Sequence, residues 1–201
     1  MFKLLFAVII TCWSMTAAAE PVIVVLGDSI SAGYGIEVQQ GWVALLQQKL
    51  LNSHRHYRIS NASISGETTA GGLARLAPIL TAQKPAILLL QLGANDGLRG
   101  LSPIAMKNNL AEIVRSAQSA GTTVLLLSMK IPPNYGKRYV DLFYNIYPQL
   151  AKELDIPLVP FLLEDVALHK DLMQADGLHP NAQAQPILAD KIEPYLFPLL
   201  K

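Results

Sequence analysis

The chain has 201 residues, 51% of them hydrophobic and 15% charged, with a formal net charge of +1. A balance this close to zero disfavours nucleic acid and acidic membrane surfaces as partners, because both are held by a surplus of Lys and Arg. A single cysteine, Cys12, excludes a disulfide framework and a cysteine-rich metal site.

In chain order, the first feature is a targeting segment. Lys3, the apolar run Leu4 to Trp13 and then Ala17-Ala18-Ala19 predict a secretory signal over residues 1–19, cleaved before Glu20. The apolar run is about half the roughly twenty residues that a spanning helix needs, and no lipoprotein context precedes Cys12. Residues 20–201 then form one domain, formally neutral and without cysteine, in an extracytoplasmic compartment.

Apolar runs alternate with helical patterns through that domain. Strands are predicted at Pro21 to Leu26, Tyr57 to Asn61, Ala86 to Leu92, Thr122 to Ser128 and Pro157 to Pro160. The third and fourth are almost continuously apolar, as strands covered on both faces are. Trp42, Leu45, Leu46 and Leu50 share one helical face, and Leu73, Leu76 and Leu80 another. Ser102-Pro103 is a helix start, Leu110, Ile113, Val114 and Ala117 its buried stripe, and Gly121 lies just past its end. Helices over Tyr139 to Leu154 and Asn181 to Leu196 complete the set, with ends blurred by Pro148, Pro186 and Pro194. The basic run His54 to Arg58 reads as a solvated connection. The predicted fold class is α/β: a three-layer α/β/α sandwich of about five parallel strands joined by right-handed crossovers.

Such a sheet places its ligand site beyond the carboxyl ends of the strands. Three polar loops follow strands there: Gly27-Asp28-Ser29, Ala62 to Glu67, and Gly93 to Gly97. A serine hydroxyl needs a base to take its proton and donors to hold an oxyanion. Asp176-Gly177-Leu178-His179 offers the base: within one tight turn the carboxylate can accept the Nδ1 proton and leave Nε2 facing the serine. His54, His56 and His169 have no acid so placed. No His-x-x-x-His pair occurs, so no metal is expected, and Gly-x-Gly-x-x-Gly, Gly-Lys-Ser/Thr and Gly-x-Ser-x-Gly are all missing from the relevant turns.

Gly27-Asp28-Ser29, the glycine of Asn61-Ala62-Ser63-Ile64-Ser65-Gly66-Glu67-Thr68, the asparagine of Gly93-Ala94-Asn95-Asp96, and Asp176-x-x-His179 resemble the four blocks of the SGNH (GDSL) hydrolase superfamily, in order and in spacing. Leu26 to Tyr34, Asn95 to Gly100 and Asn134-Tyr135-Gly136 further resemble its bacterial multifunctional esterases, which are periplasmic, need no cofactor and hydrolyse acyl thioesters, carboxylic esters and lysophospholipids. The resemblance implies a flavodoxin-like sandwich with Ser29 as nucleophile, His179 as base and then acid, Asp176 as its orienting partner, and Gly66 and Asn95 as oxyanion donors with the Ser29 N–H. It also implies a small-molecule acyl substrate and no stable membrane insertion. Two positions depart from the common pattern: Ala94 stands where glycine is frequent, and Glu67 where aspartate is.

For specificity, Gly97-Leu98-Arg99-Gly100-Leu101 is either a loop that moves over bound acyl groups, with Leu98 and Leu101 lining the groove, or an ordinary β-to-α connection. Asn134-Tyr135-Gly136 is a second wall, and Lys137-Arg138 beside it either meets a phosphate or is solvated. Two other functions compete: a carbohydrate acetylesterase of the same superfamily, told apart by a preference for acetyl groups, and a non-catalytic lipid- or sugar-binding module, told apart by failure to react with a serine probe.

Overall fold

In the computed structural model residues 20–201 are described, so the expected signal over 1–19 lies outside the described residues. Five strands, β1 (Val22–Gly27), β2 (Arg58–Asn61), β3 (Ile87–Gln91), β4 (Thr123–Leu127) and β5 (Leu158–Val159), form one parallel sheet in the order β2-β1-β3-β4-β5. Every residue of β3 is buried, which explains its unbroken apolar run; β2 sits at an edge with exposed ends.

Among the described residues seven α-helices accompany the sheet: α1 (Ser29–Ala32), α2 (Trp42–Asn52), α3 (Thr69–Gln83), α4 (Ala94–Leu98), α5 (Pro103–Ser119), α6 (Lys137–Glu153) and α7 (Gln185–Leu196). The chain steps from β1 to β2 in one direction and from β2 through β3 and β4 to β5 in the other. Right-handed crossovers therefore send α2 to one face and α3, α5 and α6 to the opposite one. α7 packs on α2, while α3, α5 and α6 pack side by side, giving the three layers. Trp42, Phe143 and Tyr147 are the largest fully buried side chains, and the Tyr147 hydroxyl donates to the Leu92 carbonyl at 3.0 Å, tying α6 to the end of β3.

Several details differ from the sequence-based expectation. The helix expected to begin at Asn181 starts as a 3-10 turn, Ala182–Ala184, capped by the Asn181 side chain, and becomes α-helical at Gln185. Pro148 and Pro194 do not break α6 and α7, nor does Pro78 break α3; all three are exposed, so water can satisfy the carbonyl that each leaves without a donor. Tyr57, at the end of the basic connection, is buried and its hydroxyl accepts from the Lys201 N–H at 2.8 Å. The Gly97–Leu101 segment is not a free loop. Gly97 belongs to α4 and is buried, and a Cβ there would come within 2.6 Å of Ile131 and 2.7 Å of Phe143. Beyond it the backbone is held by Tyr135, which donates to the Leu98 carbonyl at 2.8 Å, and by Tyr139, which donates to the Leu101 carbonyl at 2.7 Å.

Candidate active site

Strand order 2-1-3-4-5 reverses direction between β1 and β3, and a crevice opens at such a switch point beyond the strand ends. Two of the expected residues flank it. Ser29 opens α1 directly after β1, with Asp28 as the cap whose side chain accepts from the Ile30 N–H at 3.1 Å. Asn95 lies in the first turn of α4 directly after β3.

His179 reaches this crevice from the far end of the chain. The Ser29 hydroxyl donates to His179 Nε2 at 2.8 Å, and His179 Nδ1–H donates to Asp176 Oδ2 at 2.6 Å. Asp176 accepts in addition from the Leu178 and His179 N–H groups, at 2.9 and 3.0 Å, so one carboxylate both shapes the turn and orients the ring. Partial burial alone would raise the Asp176 carboxyl, but these hydrogen bonds, led by that of the imidazole, outweigh it and hold the group down at about 2. Asp176 is therefore ionised at neutral pH and acts as an acceptor, which fixes the Nδ1–H tautomer. The ring of Tyr34 lies 4.6 Å from that of His179, tilted by 40°.

The loop after β2 closes against α4. Asn95 Nδ2 donates to the Glu67 carbonyl at 3.0 Å, Arg99 donates to the Gly66 carbonyl at 2.7 Å, and the N–H and hydroxyl of Thr69 both donate to buried Asp96, at 2.8 and 2.6 Å. Gly66 has φ +79°, and the nearest atom to a Cβ there would be 3.7 Å away, so backbone conformation rather than internal crowding calls for glycine. Among the described residues the N–H groups of Ser29 and Gly66 make no hydrogen bond. Glu67, one of the two departures from the common pattern, is nearly buried and pairs with Arg75 of α3. Ala94, the other, lines the crevice.

A cavity of about 190 Å³ adjoins Ser29 and Asn95, walled by Ala94, Leu98, Met129, Pro132 and Leu163. It shares Lys130, Pro132, Leu163 and Leu178 with a larger apolar groove of about 470 Å³ that runs on past Phe161 and Leu168. Leu98 lines the cavity as expected, whereas Leu101 does not and is 43% exposed. Lys137 pairs with Asp141 in solvent, and the cation at the groove is Lys130, its Nζ 4.4 and 5.1 Å from the ring centroids of Tyr144 and Phe161.

Sequence reasoning passed over the floor of the site. Asp28 is fully buried beneath Ser29; besides the Ile30 N–H, its carboxylate accepts from Gln91 Nε2 at 3.0 Å and, at a long 3.4 Å, from Asn95 Nδ2. Gln91 Oε1 in turn accepts from Ser31 at 2.5 Å. The one available signal was a polar residue, Gln91, closing an otherwise apolar central strand.

A hydroxyl, an imidazole and a carboxylate in line, beside unpaired N–H groups and an apolar cavity, form an arrangement suited to acyl transfer. The comparisons agree on the class. Residues 25–186 match the model of the GDSL-like lipase/acylhydrolase family. Esterase TesA of Pseudomonas aeruginosa is 49% identical over 183 residues, 91% of either chain. The thioesterase 1/protease 1/lysophospholipase L1 of Escherichia coli K12 is 44% identical over 196 residues, 98% of this chain and 91% of that one. A crystal structure of TesA superposes with a TM-score of 0.87 at 49% identity, covering 89% of this chain and 99% of the other. The protein belongs to the GDSL-like lipase/acylhydrolase family, the SGNH hydrolases, and is a hydrolase.

Burial pushes the Asp28 carboxyl up to about 6, against the hydrogen bonds from Gln91 and Ile30 and the charge of His179. The folded protein thus keeps a proton there between about pH 4 and 6 that the unfolded chain has released. The stability this confers is complete below about pH 4 and lost as pH rises through 6, leaving an ionised carboxylate that costs on the order of 3 kcal/mol at pH 7.5. Asp28→Asn is predicted to raise the thermal midpoint at pH 7.5 by about 6–12 °C, with the gain vanishing near pH 4. Thermal denaturation at the two pH values checks this; a lower midpoint at pH 7.5 would show that the carboxylate's hydrogen bonds outweigh its burial.

Proposed function

We propose that the protein is an extracytoplasmic serine esterase that hydrolyses acyl thioesters, carboxylic esters and lysophospholipids through an acyl-enzyme. The observation that carries this reading is the 2.8 Å contact between Ser29 Oγ and His179 Nε2, continued at 2.6 Å to Asp176. As Ser29 Oγ bonds to the acyl carbon, His179 Nε2 takes its proton and the carbonyl electrons move to oxygen. The N–H groups of Ser29 and Gly66 and the Asn95 amide receive that oxyanion; Asn95 exchanges its long 3.4 Å contact to Asp28 for the stronger partner. Collapse expels the alcohol or thiol, which takes the proton from His179. Water then adds to the acyl-enzyme with His179 again as base, freeing the acid and restoring the hydroxyl. Asp176, held at about 2, stays ionised throughout and balances the imidazolium.

The substrate class is supported by the apolar cavity and groove next to Ser29 and by the activities in the relatives' names. None of the described helices is long and apolar enough to cross a membrane. Lys3, Leu4 to Trp13 and Ala17 to Ala19 support export to the periplasm with residues 1–19 removed, leaving 20–201 as the single hydrolase domain.

Three results are expected. Ser29→Ala and His179→Ala lower kcat by about 10⁴-fold and Asn95→Ala by about 10²–10³-fold; steady-state assays on a palmitoyl thioester, a lysophospholipid and an acetylated sugar check both the roles and the substrate class, and undiminished turnover by Ser29→Ala would reject the nucleophile. Leu98→Ala weakens kcat/KM for long acyl esters about tenfold more than for acetyl esters, whereas Leu101→Ala leaves both within about twofold. Edman sequencing of the protein recovered from a periplasmic extract begins at Glu20; retention of Met1 would contradict cleavage.

A further inference from the structure

Between Val159 and Gln185 the chain has no α-helix and no strand beyond one isolated antiparallel bridge, Met173 to Pro180. His179 is carried by this irregular stretch. The bonds that Asp176 makes are all internal to its own turn: they orient the ring within the turn but not the turn toward Ser29. Gln185 of α7 holds the Pro180 and Asn181 carbonyls, at 3.5 and 3.1 Å, and accepts from the Trp42 N–H, which ties the turn to α7 and α2 and not to the serine-bearing segment.

Gln174 does make that connection. Its side-chain nitrogen donates to the Tyr34 carbonyl at 2.7 Å, five residues past Ser29, and to the Pro180 carbonyl at 3.1 Å, next to His179. Its backbone N–H donates to the His179 carbonyl at 2.8 Å, and its own carbonyl accepts from the Gly177 N–H at 3.0 Å. The backbone between the two sides is shaped around it: a Cβ on Gly35 would overlap Gln174 Oε1, and Gly35 has φ +74°. The Tyr34 ring, on the residue whose carbonyl Gln174 holds, lies against the imidazole.

We propose that Gln174 is a positioning residue whose amide clamps the imidazole-bearing turn to the segment behind the nucleophile, keeping His179 Nε2 within proton-transfer reach of Ser29 Oγ. The inference rests on the roles given to Ser29 and His179 above. Both hydrogens of one amide nitrogen are spent on carbonyls from the two sides, a task that neither a thioether nor a carboxylate of similar length can perform. A carboxylate would set negative oxygen against two carbonyl oxygens and push the sides apart. Small misplacement of a base is costly in rate, and because Gly177 and Leu178 of the same turn line the acyl groove, binding shifts with it.

The test compares Gln174→Met, Gln174→Glu and Gly35→Ala with the parent on p-nitrophenyl butyrate. Four quantities are read: kcat, KM, the rate of inactivation by a fluorophosphonate, and the downfield NMR signal of the His179 Nδ1 proton. Gln174→Met is expected to lower kcat and the inactivation rate together by about 10–100-fold. Gln174→Glu falls further, and the Nδ1 signal persists in both because the Asp176 pairing is internal to the turn. Gly35→Ala displaces the amide and reproduces the kcat loss with Gln174 present, so it carries the test should the Gln174 variants fail to fold. Parental kcat in Gln174→Glu or Gly35→Ala, or loss of the Nδ1 signal alongside kcat, would overturn the clamp. An inactive Ser29→Ala beside a fully active Gln174→Met sinks the clamp alone; a fully active Ser29→Ala sinks the reading beneath it.

Discussion

The position of β1 between β2 and β3 is the constraint on which the site depends. Parallel pairing of Val25 with Asn61 and of Gly27 with Gln91 brings three loops, each polar and glycine-bearing, to the same edge of the sheet. Parallel strands cannot be joined by tight turns, so each loop begins a crossover to a covering helix. The Ser29 loop therefore lies between the loops after β2 and β3 without any contact having to be designed for that purpose alone. The apolar runs of β1, β3 and β4 bury these strands between the two helical layers.

On that edge the protein tolerates an electrostatic cost. Asp28 is removed from water beneath the serine, with three donors but no cation in contact. Burial of a carboxylate under such conditions opposes folding at neutral pH, in contrast to Asp176, which is partly exposed and surrounded by donors that favour its charge. The two carboxylates on either side of one hydroxyl are thus in opposite electrostatic situations. Asp28 gathers Ile30, Gln91 and Asn95 from α1, β3 and α4 around one point, which accounts for a group that stability alone would replace.

The other half of the site is built differently. His179 comes from a stretch with no regular ladder, so its placement relies on a few side chains: Asp176 for the ring, Gln174 for the turn, Gln185 for the attachment to α7. The cavity wall on the α4 side is held by several hydrogen bonds. One helical turn over buried Gly97, with the Tyr135 and Tyr139 hydroxyls on the carbonyls of Leu98 and Leu101 and Arg99 reaching back to Gly66, ties the cavity wall to the loop after β2.

Much of this was legible in the sequence because it is written in short-range pattern. Unbroken apolar runs marked β3 and β4, Ser102-Pro103 and Gly121 marked the ends of α5, and the Asp176-x-x-His179 spacing already implied the turn, since all of its bonds close within four residues. α1 and α4 escaped notice because a single helical turn has no periodicity to read. Whether Gly97–Leu101 was a moving loop or an ordinary β-to-α connection stayed open in the sequence because glycine signals freedom in one dimension, while here Gly97 marks the place where Ile131 and Phe143 leave no room. The pairing of Asp28 with Gln91, the reach of Gln174 to Tyr34 and the meeting of Ser29 with His179 join positions 63 to 150 residues apart. Local chemistry determined which groups this chain carries and the strands that bear them. Only the packed sheet decided which of them touch, because hydrogen bonds depend on distances of a few tenths of an ångström that no sequence interval encodes.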